Sequence, residues 1–189
     1  MRAPPLRATI AAVIVRFLDG TPLRVAELRR VVPGLEVEIA GLPSGYSASG
    51  PDPGQRAQEM VRAVDDGFPC LAESCDLIRV GGSSLRLELD SENDNRFCRY
   101  WRETPVELHL AVALRRSADA PIELFRAVQL GRIADKPAGP RELGWDRLFV
   151  PDGFDVTLAE LVADPDAPPG DLVGFRTRAY QPLLHALDG

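Results

Sequence analysis

Apolar positions at the start of the chain form first a continuous run, then a helical spacing, then an alternation. Residues 10–18 are nearly all apolar, which predicts a strand buried on both faces. Residues 23–32 carry apolar side chains at helical spacing and end at Pro33-Gly34, which is typical of a helix and its stop. Residues 35–39 alternate between apolar and polar side chains. The chain is therefore predicted to open with a strand, a helix and a second strand.

The middle of the chain begins with a loop-forming composition. Residues 41–54 are rich in Gly, Ser and Pro and predict a loop, which a helix over 55–65 follows. Residues 68–72 predict a strand that ends where the acidic sequence 73–77 begins. From there, alternating leucines around a Gly-Gly-Ser turn predict strand, turn and strand up to residue 89.

The second half of the chain carries the clearest alternation. Residues 106–114 and 122–133 alternate on either side of a short turn, which predicts a long antiparallel hairpin. Residues 134–142 predict a loop. Apolar residues at helical spacing predict a terminal helix over 177–187, after a loop rich in Pro and Asp that ends the preceding element.

The segment 144–161, GWDRLFVPDGFDVTLAEL, combines an aromatic residue, a carboxylate and three local structures. Residues 148–150 predict a short strand, and Pro151-Asp152-Gly153 predicts a tight turn. Thr157 precedes Glu160 by three residues, which is the spacing of a helix capping box. The segment therefore predicts one wall of a pocket for a flat ligand, formed by Trp145 and Asp146.

Composition limits the possible classes of protein. The 189 residues suit one domain over 1–189, and the net charge of −6 argues against binding to nucleic acid. The apolar run over 8–18 is too short to cross a membrane and is interrupted by Arg16, so no membrane association is expected. Three cysteines and two histidines make a disulfide framework and a zinc site improbable, and reduced thiols favour a cytoplasmic protein.

The segment 144–161 resembles the C-terminal signature of the Ham1/inosine triphosphate pyrophosphatase family. The pattern departs from the family at Arg147, where the family has Pro. Elsewhere it matches at Gly144, Trp145, Asp146, Phe149, Pro151, Gly153, Thr157, Ala159 and Glu160.

The resemblance covers most of the chain and implies its fold and chemistry. It implies an α/β fold with two lobes, in which helices flank a long mixed and largely antiparallel sheet around a central cleft. Family members release pyrophosphate from non-canonical purine nucleoside triphosphates with the help of Mg²⁺. They commonly form homodimers, so a homodimer is expected, with a heterodimer containing an active relative as the alternative.

The resemblance also implies a metal site, and this chain departs from it. The family places two Asp residues after the strand over 68–72, to hold metal and activate water. Glu73 stands at the first place, Ser74 at the second, and Asp76 two residues later. Glu73 and Asp76 are therefore the predicted catalytic residues and Mg²⁺ ligands, with Glu59 as a further candidate. The alternative is that Glu73 and Asp76 lie at a solvated strand end.

Substrate-binding residues follow from the same resemblance. Arg24, Arg56 and Arg176 are predicted to contact phosphate, and Trp145 to stack on the base beside Asp146. The family's loop Asn and Lys are missing, and so are its helix Glu and the Lys and His that read the purine. Trp145 and Asp146 are also open to an interpretation as ordinary packing residues.

These departures favour a degenerate member of the family, a pseudoenzyme that binds a purine nucleotide or related small molecule with lost or redirected hydrolysis. The alternative is an active Mg²⁺-dependent nucleoside triphosphate pyrophosphohydrolase with a rebuilt metal site. A purely structural protein is a third interpretation. Binding of a divalent ion at Glu73 and Asp76 separates the three.

Overall fold

A six-stranded sheet runs through the computed structural model, which describes residues 14–64, 67–86, 91–164 and 174–187. The strands are β1 (Ile14–Leu18), β2 (Glu36–Ala40), β3 (Cys70–Arg79), β4 (Pro105–Arg115), β5 (Glu123–Ile133) and β6 (Phe149–Pro151). Their order is β2-β1-β3-β4-β5-β6.

The sheet is mixed, as the fold class requires. β1 lies parallel to both β2 and β3, whereas the β3–β4, β4–β5 and β5–β6 pairs are antiparallel. The predicted hairpin is confirmed as β4 and β5, which pair from Pro105 with Arg132 to Leu114 with Glu123. The predicted class, α/β with helices flanking a long mixed sheet, is confirmed. The predicted strand start at residues 10–13 lies outside the described residues.

Helices cover both faces of the sheet. One face holds α2 (Pro53–Arg62) over Ala72, Ala111 and Ala113. The other face carries the larger apolar core. Its elements are α1 (Pro22–Val31), α3 (Ser91–Trp101), a 3-10 segment (Arg141–Leu148), α4 (Leu158–Ala163) and α5 (Gly174–Leu187).

Two local predictions in the middle of the chain are wrong. The predicted strand end at residue 72 does not exist, because β3 continues to Arg79 and pairs with β4 along its whole length. The alternative of a solvated strand end is also wrong, since Asp76 is buried in mid-strand and the Glu73 side chain is only 10% exposed. The second strand predicted before residue 89 is reduced, in the described residues, to a bridge between Ile78 and Ser84; residues 87–90 lie outside them.

Helix α3 occupies a polar stretch for which no element was predicted. Its buried side chains are Asp94, Phe97 and Cys98, with Trp101 packed against the same core. These positions have helical spacing, but one of them is a carboxylate, so the apolar pattern is weak.

Local signals around the C-terminal signature are confirmed more fully. Thr157 and Glu160 form the predicted capping box, in which each side chain accepts a hydrogen bond from the other residue's backbone N–H. The terminal helix is also confirmed, and it begins three residues earlier than predicted, at Gly174. Within the ranges that the structure describes, no helix is both long and apolar enough to cross a membrane.

Candidate functional site

Five charged side chains from four elements meet at the core face of the sheet, close to the end of β1. Arg24 and Glu27 come from successive turns of α1, and Glu73 points inward from β3. Asp146 comes from the 3-10 segment and Arg176 from the first turn of α5. We call these five residues the ion cluster. All five are buried or nearly so, and the side chains of Asp146 and Arg176 have no solvent exposure.

Two guanidinium groups join the three carboxylates of the ion cluster. Arg176 donates from Nη1 to Asp146 Oδ2 at 2.8 Å and from Nη2 to Glu73 Oε1 at 3.0 Å. Arg24 donates from Nη2 to Asp146 Oδ2 at 2.7 Å and from Nη1 to Glu27 Oε2 at 2.8 Å. The Arg24 Nε atom lies 3.7 Å from Glu73 Oε1. Asp146 therefore bridges the two arginines.

Two participants in this arrangement, Glu27 and Tyr180, were not predicted. The Tyr180 hydroxyl donates a hydrogen bond to Glu73 Oε2. Tyr180 lies one helical turn after Arg176 and shares its buried face of α5, and Glu27 stands in the same relation to Arg24 on α1. This helical spacing from Arg24 and Arg176 could have pointed to Glu27 and Tyr180. It was not sufficient alone, because charged residues are rarely buried on a helix face unless they have a partner.

The arginines decide the protonation of the acids beside them. Burial favours a raised pKa for Glu73, but Arg176 and Arg24 outweigh it, so the Glu73 pKa lies below its ordinary value. Burial raises the pKa of Glu27, and the two arginines do not fully offset it. Burial, with Asp146 nearby, raises the pKa of the Cys75 thiol to about 12. Glu73 is thus a poor proton acceptor and Cys75 a poor nucleophile at neutral pH.

A cavity of about 140 Å³ opens beside the ion cluster. The loop between β1 and α1 forms one side, and the residues 142–145 form another. Trp145 lines the cavity although it is only 8% exposed, and its ring meets that of Phe97 of α3 in a T-shaped contact with the centroids 6.1 Å apart. The other lining residues are Phe17, Leu18, Asp19, Gly20, Thr21, Arg24, Glu73, Cys75, Glu142, Leu143 and Gly144.

Five of the seven predicted site residues therefore come together, and two do not. Arg24, Glu73, Trp145, Asp146 and Arg176 meet at this cavity and its ion cluster.

Arg56 and Asp76 lie on the opposite face of the sheet. Glu73 and Asp76 are three residues apart in a continuous strand, so their side chains point to different faces. On the α2 face, Arg56 Nη2 donates to Asp76 Oδ1 at 2.6 Å, and its Nε donates to the Ser74 hydroxyl at 3.1 Å. A third donor of Arg56 holds the Gly50 carbonyl at 2.9 Å. This second cluster fastens the loop before α2 to the sheet.

A family model described as the Ham1 family matches residues 88–184, just over half of the chain. The chain belongs to the Ham1 family. No curated protein sequence matches it. The matched region contains Trp145, Asp146 and Arg176 of the site but neither Arg24 nor Glu73.

Solved structures of three proteins share the fold. A HAM1 protein from Coxiella burnetii aligns with a TM-score of 0.65 and 18% identity, over 93% of this chain and 98% of that one. The Ham1 protein of Staphylococcus aureus aligns with a TM-score of 0.57 and 16% identity, over 93% and 98%. A nucleoside-triphosphatase / dITP/XTP pyrophosphatase from Mycobacterium abscessus aligns with a TM-score of 0.52 and 24% identity, over 91% and 99%. At these identities the likeness establishes the fold and not the activity.

The donor set of this Ham1-family chain does not fit the Mg²⁺ that the family uses. A hard divalent ion requires several free oxygen ligands converging from one side. Glu73 and Asp76 sit on opposite faces, and each already faces a guanidinium. Glu59 is not a free metal ligand either, because its carboxylate accepts hydrogen bonds from the backbone N–H groups of Ser49 and Gly50. Among the described residues, no three His, Cys, Asp or Glu side chains are grouped to hold a metal ion.

The departure from the family signature at Arg147 has a structural partner. Arg147 Nη1 donates to Asp94 Oδ2 at 2.6 Å, and the pair is nearly buried, with side chains 14% and 4% exposed. Arg147 Nε also donates to the Gly139 carbonyl. The arginine therefore ties the 3-10 segment to α3, in the polar stretch for which the sequence predicted no element.

Proposed function

We propose that this chain is a Ham1-family protein that binds a purine nucleotide or related small molecule in the cavity beside Trp145, and that it does not hydrolyse nucleoside triphosphates. The observation that carries the proposal is the ion cluster. Its two arginines engage the acid that stands at the family's metal position, Glu73, together with Glu27 and Asp146.

Hydrolysis of a triphosphate needs a cation to neutralise developing charge and a group that positions and deprotonates water. Ser74 stands at the family's base position, and a serine hydroxyl is not a base at neutral pH. In this chain its oxygen accepts a hydrogen bond from Arg56, on the face away from the cavity. Glu73, with its lowered pKa and hydrogen bonds from Arg176 and Tyr180, does not replace the missing base.

What supports ligand binding is the retained wall of the cavity. Trp145 supplies an aromatic ring to the lining, which Asp19, Thr21 and Gly144 share. The related protein from Mycobacterium abscessus is named for activity on dITP and XTP, which favours a purine compound as the ligand. The limited volume, about 140 Å³, favours the base over the whole nucleotide as the enclosed part.

An active pyrophosphatase is the second candidate, because five of the seven predicted site residues do meet at one cavity. Under this candidate a bound triphosphate and metal rearrange the ion cluster and release Glu73 from Arg176. The two candidates differ in a single measurement, which is the release of pyrophosphate.

The test incubates the full chain with Mg²⁺ or Mn²⁺ and ITP, XTP, dITP or the standard nucleoside triphosphates. We expect no pyrophosphate above the buffer blank for any substrate. Release that disappears in Glu73→Gln and persists in Asp119→Asn, an exposed loop residue outside the cavity, would establish the active enzyme instead. Thermal shift of the same samples reports whether purine compounds bind when they are not cleaved.

A further inference from the structure

The charges around the cavity have the wrong sign for a polyphosphate. Among the described residues, three acidic residues line it, Asp19, Glu73 and Glu142, against one basic residue, Arg24. Behind the lining, Arg176 is outnumbered by Glu27 and Asp146, with which it shares the ion cluster. The site as a whole therefore carries an excess of negative charge.

Arg24 is not available to compensate a phosphate. Its donors are directed to the carboxylates of Glu27 and Asp146 and to the Leu143 carbonyl. Turning the guanidinium toward a ligand leaves buried acids unpaired, which is costly in a desolvated site. Arg24, the one basic side chain among the lining residues that the structure describes, is thus already bonded to other groups of the protein.

The start of α1 does not form a phosphate cradle either. Pro22 occupies the first turn and has no N–H to donate, and the Arg24 N–H is bonded to the Thr21 hydroxyl oxygen at 3.3 Å. The Gly20 N–H points to the Phe17 carbonyl at 3.5 Å. A helix start that lacks one N–H and has another already bonded offers fewer donors to an anion.

We propose that the ligand of this cavity is an uncharged or cationic purine compound, a free base or a nucleoside, and not a nucleoside triphosphate. This inference rests on the proposed function, that the cavity binds a purine compound, and narrows its class by charge. The lining residues Trp145 and Leu143 supply apolar contact for a flat ring, while the carboxylates of Asp19 and Glu142 accept hydrogen bonds from ring N–H or amino groups.

The charge argument sets the size of the effect. One ligand charge held about 4 Å from one uncompensated carboxylate loses roughly fivefold in affinity in bulk water, and more in a partly buried site. Affinity is therefore expected to fall from inosine to inosine monophosphate to inosine triphosphate. The fall is expected to be steeper at low salt, because added salt screens the repulsion.

The experiment measures binding of these three compounds to the full chain by calorimetry, with EDTA or with Mg²⁺, at low and moderate salt. Two variants remove charge at the exposed part of the lining, Asp19→Asn and Glu142→Gln. Asp19 has a φ of 53°, which Asn tolerates well, so the loop is expected to keep its shape. Each variant should raise the affinity for the monophosphate, relative to inosine, by roughly fivefold. Asp119→Asn, away from the cavity, should leave the ratio unchanged.

The outcomes separate this inference from the function on which it rests. Triphosphate binding as tight as that of inosine, without release of pyrophosphate, would overturn the charge inference and leave the proposed function standing. Unchanged affinity ratios in both lining variants would also overturn it. If none of the compounds binds, or if pyrophosphate is released, the proposed function itself fails, and the charge inference fails with it.

Discussion

Three buried carboxylates share two guanidiniums in the ion cluster, so one acid lacks a full set of partners. Glu27 is that acid: its Oε1 atom has no hydrogen-bond partner among the described residues, although the residue is only 1% exposed. Glu73, in contrast, receives hydrogen bonds from Arg176 and Tyr180. Removing the charge of Glu27 should therefore change the stability of the protein less than removing the charge of Glu73.

Glu27→Gln is expected to cost less than about 1 kcal/mol of unfolding free energy at pH 7, because Gln keeps an acceptor for Arg24 and balances the cluster charge. Glu73→Gln is expected to cost about 3 kcal/mol, because a carboxylate that accepts hydrogen bonds from both Arg176 and Tyr180 is replaced by an amide with one acceptor oxygen. Urea denaturation of the two variants and the parent chain measures both values. Equal losses for the two variants would contradict the assignment of Glu27 as the under-partnered acid.

The same pair gives opposite dependences on pH. The folded state raises the pKa of Glu27 above its ordinary 4.5, so this group's stabilising effect is complete below that pH and is lost as the pH rises through the folded value. The lowered pKa of Glu73 makes its contribution present above 4.5 and lost as the pH falls. Melting temperatures between pH 4 and 8 should therefore favour Glu27→Gln over the parent increasingly as the pH rises. A constant difference would argue that Glu27 has an ordinary pKa in the fold.

At the scale of residues, the sequence predicted which side chains lie together at the site better than it predicted what those side chains bind. Arg24, Trp145, Asp146 and Arg176 were assigned to a ligand, yet three of them bind each other and the Trp145 ring contacts Phe97. Pairing between α1, β3 and α5 depends on tertiary geometry, which spacing along the chain does not encode. Trp145 is buried against Phe97, as its interpretation as a packing residue expects, whereas Asp146 pairs with Arg24 and Arg176.

At the scale of elements, Arg147 and Asp94 join α3 to the 3-10 segment that carries Trp145 and Asp146. Arg147→Ala is expected to cost about 3 kcal/mol, because it leaves the buried Asp94 carboxylate without its cation, and Asp94 Oδ1 already has no hydrogen-bond partner among the described residues. Arg116→Ala, which breaks the more exposed Arg116–Glu123 pair, should cost less than about 1 kcal/mol. Urea denaturation measures both. A cost for Arg147→Ala no larger than that of the control would mean that α3 does not depend on this pair.

The elements themselves were predictable wherever one face is apolar and the other polar. The hairpin of β4 and β5 and the capped start of α4 follow directly from such patterns. The pattern failed at α3, where a carboxylate takes a core position, and in β3, where Glu73 and Asp76 interrupt the apolar run. In both places the buried carboxylate is paired with an arginine that is distant in sequence. The local pattern therefore predicts an exposed segment, although the segment is buried in the fold.

At the scale of the whole molecule, helix α2 covers only part of its face of the sheet. It packs over Ala72, Ala111 and Ala113. The sheet continues past α2 toward the cross-strand pairs Ile78–Glu107 and Glu107–Leu130 of β3, β4 and β5. Here Val128 and Leu130 are exposed on the strand face, and Val80 is exposed beyond the end of β3. We call Val80, Val128 and Leu130 the open patch.

The homodimer that the family resemblance implies remains a prediction, and the open patch is where we expect the second copy to bind. Burying these apolar side chains against their own copy removes them from water, and the neighbouring Glu107 and His109 side chains on the same face already bond to each other at 2.6 Å. Light scattering coupled to size-exclusion chromatography should give twice the mass of one chain for the parent protein. Leu130→Glu should shift the chain toward the monomer, since it places a carboxylate in the centre of the contact. Val156→Glu, at an exposed apolar residue before α4, should leave the dimer intact.

A parent chain that is monomeric at all concentrations would contradict the homodimer and direct the search to a different partner subunit, whereas a dimer that survives Leu130→Glu would place the interface elsewhere.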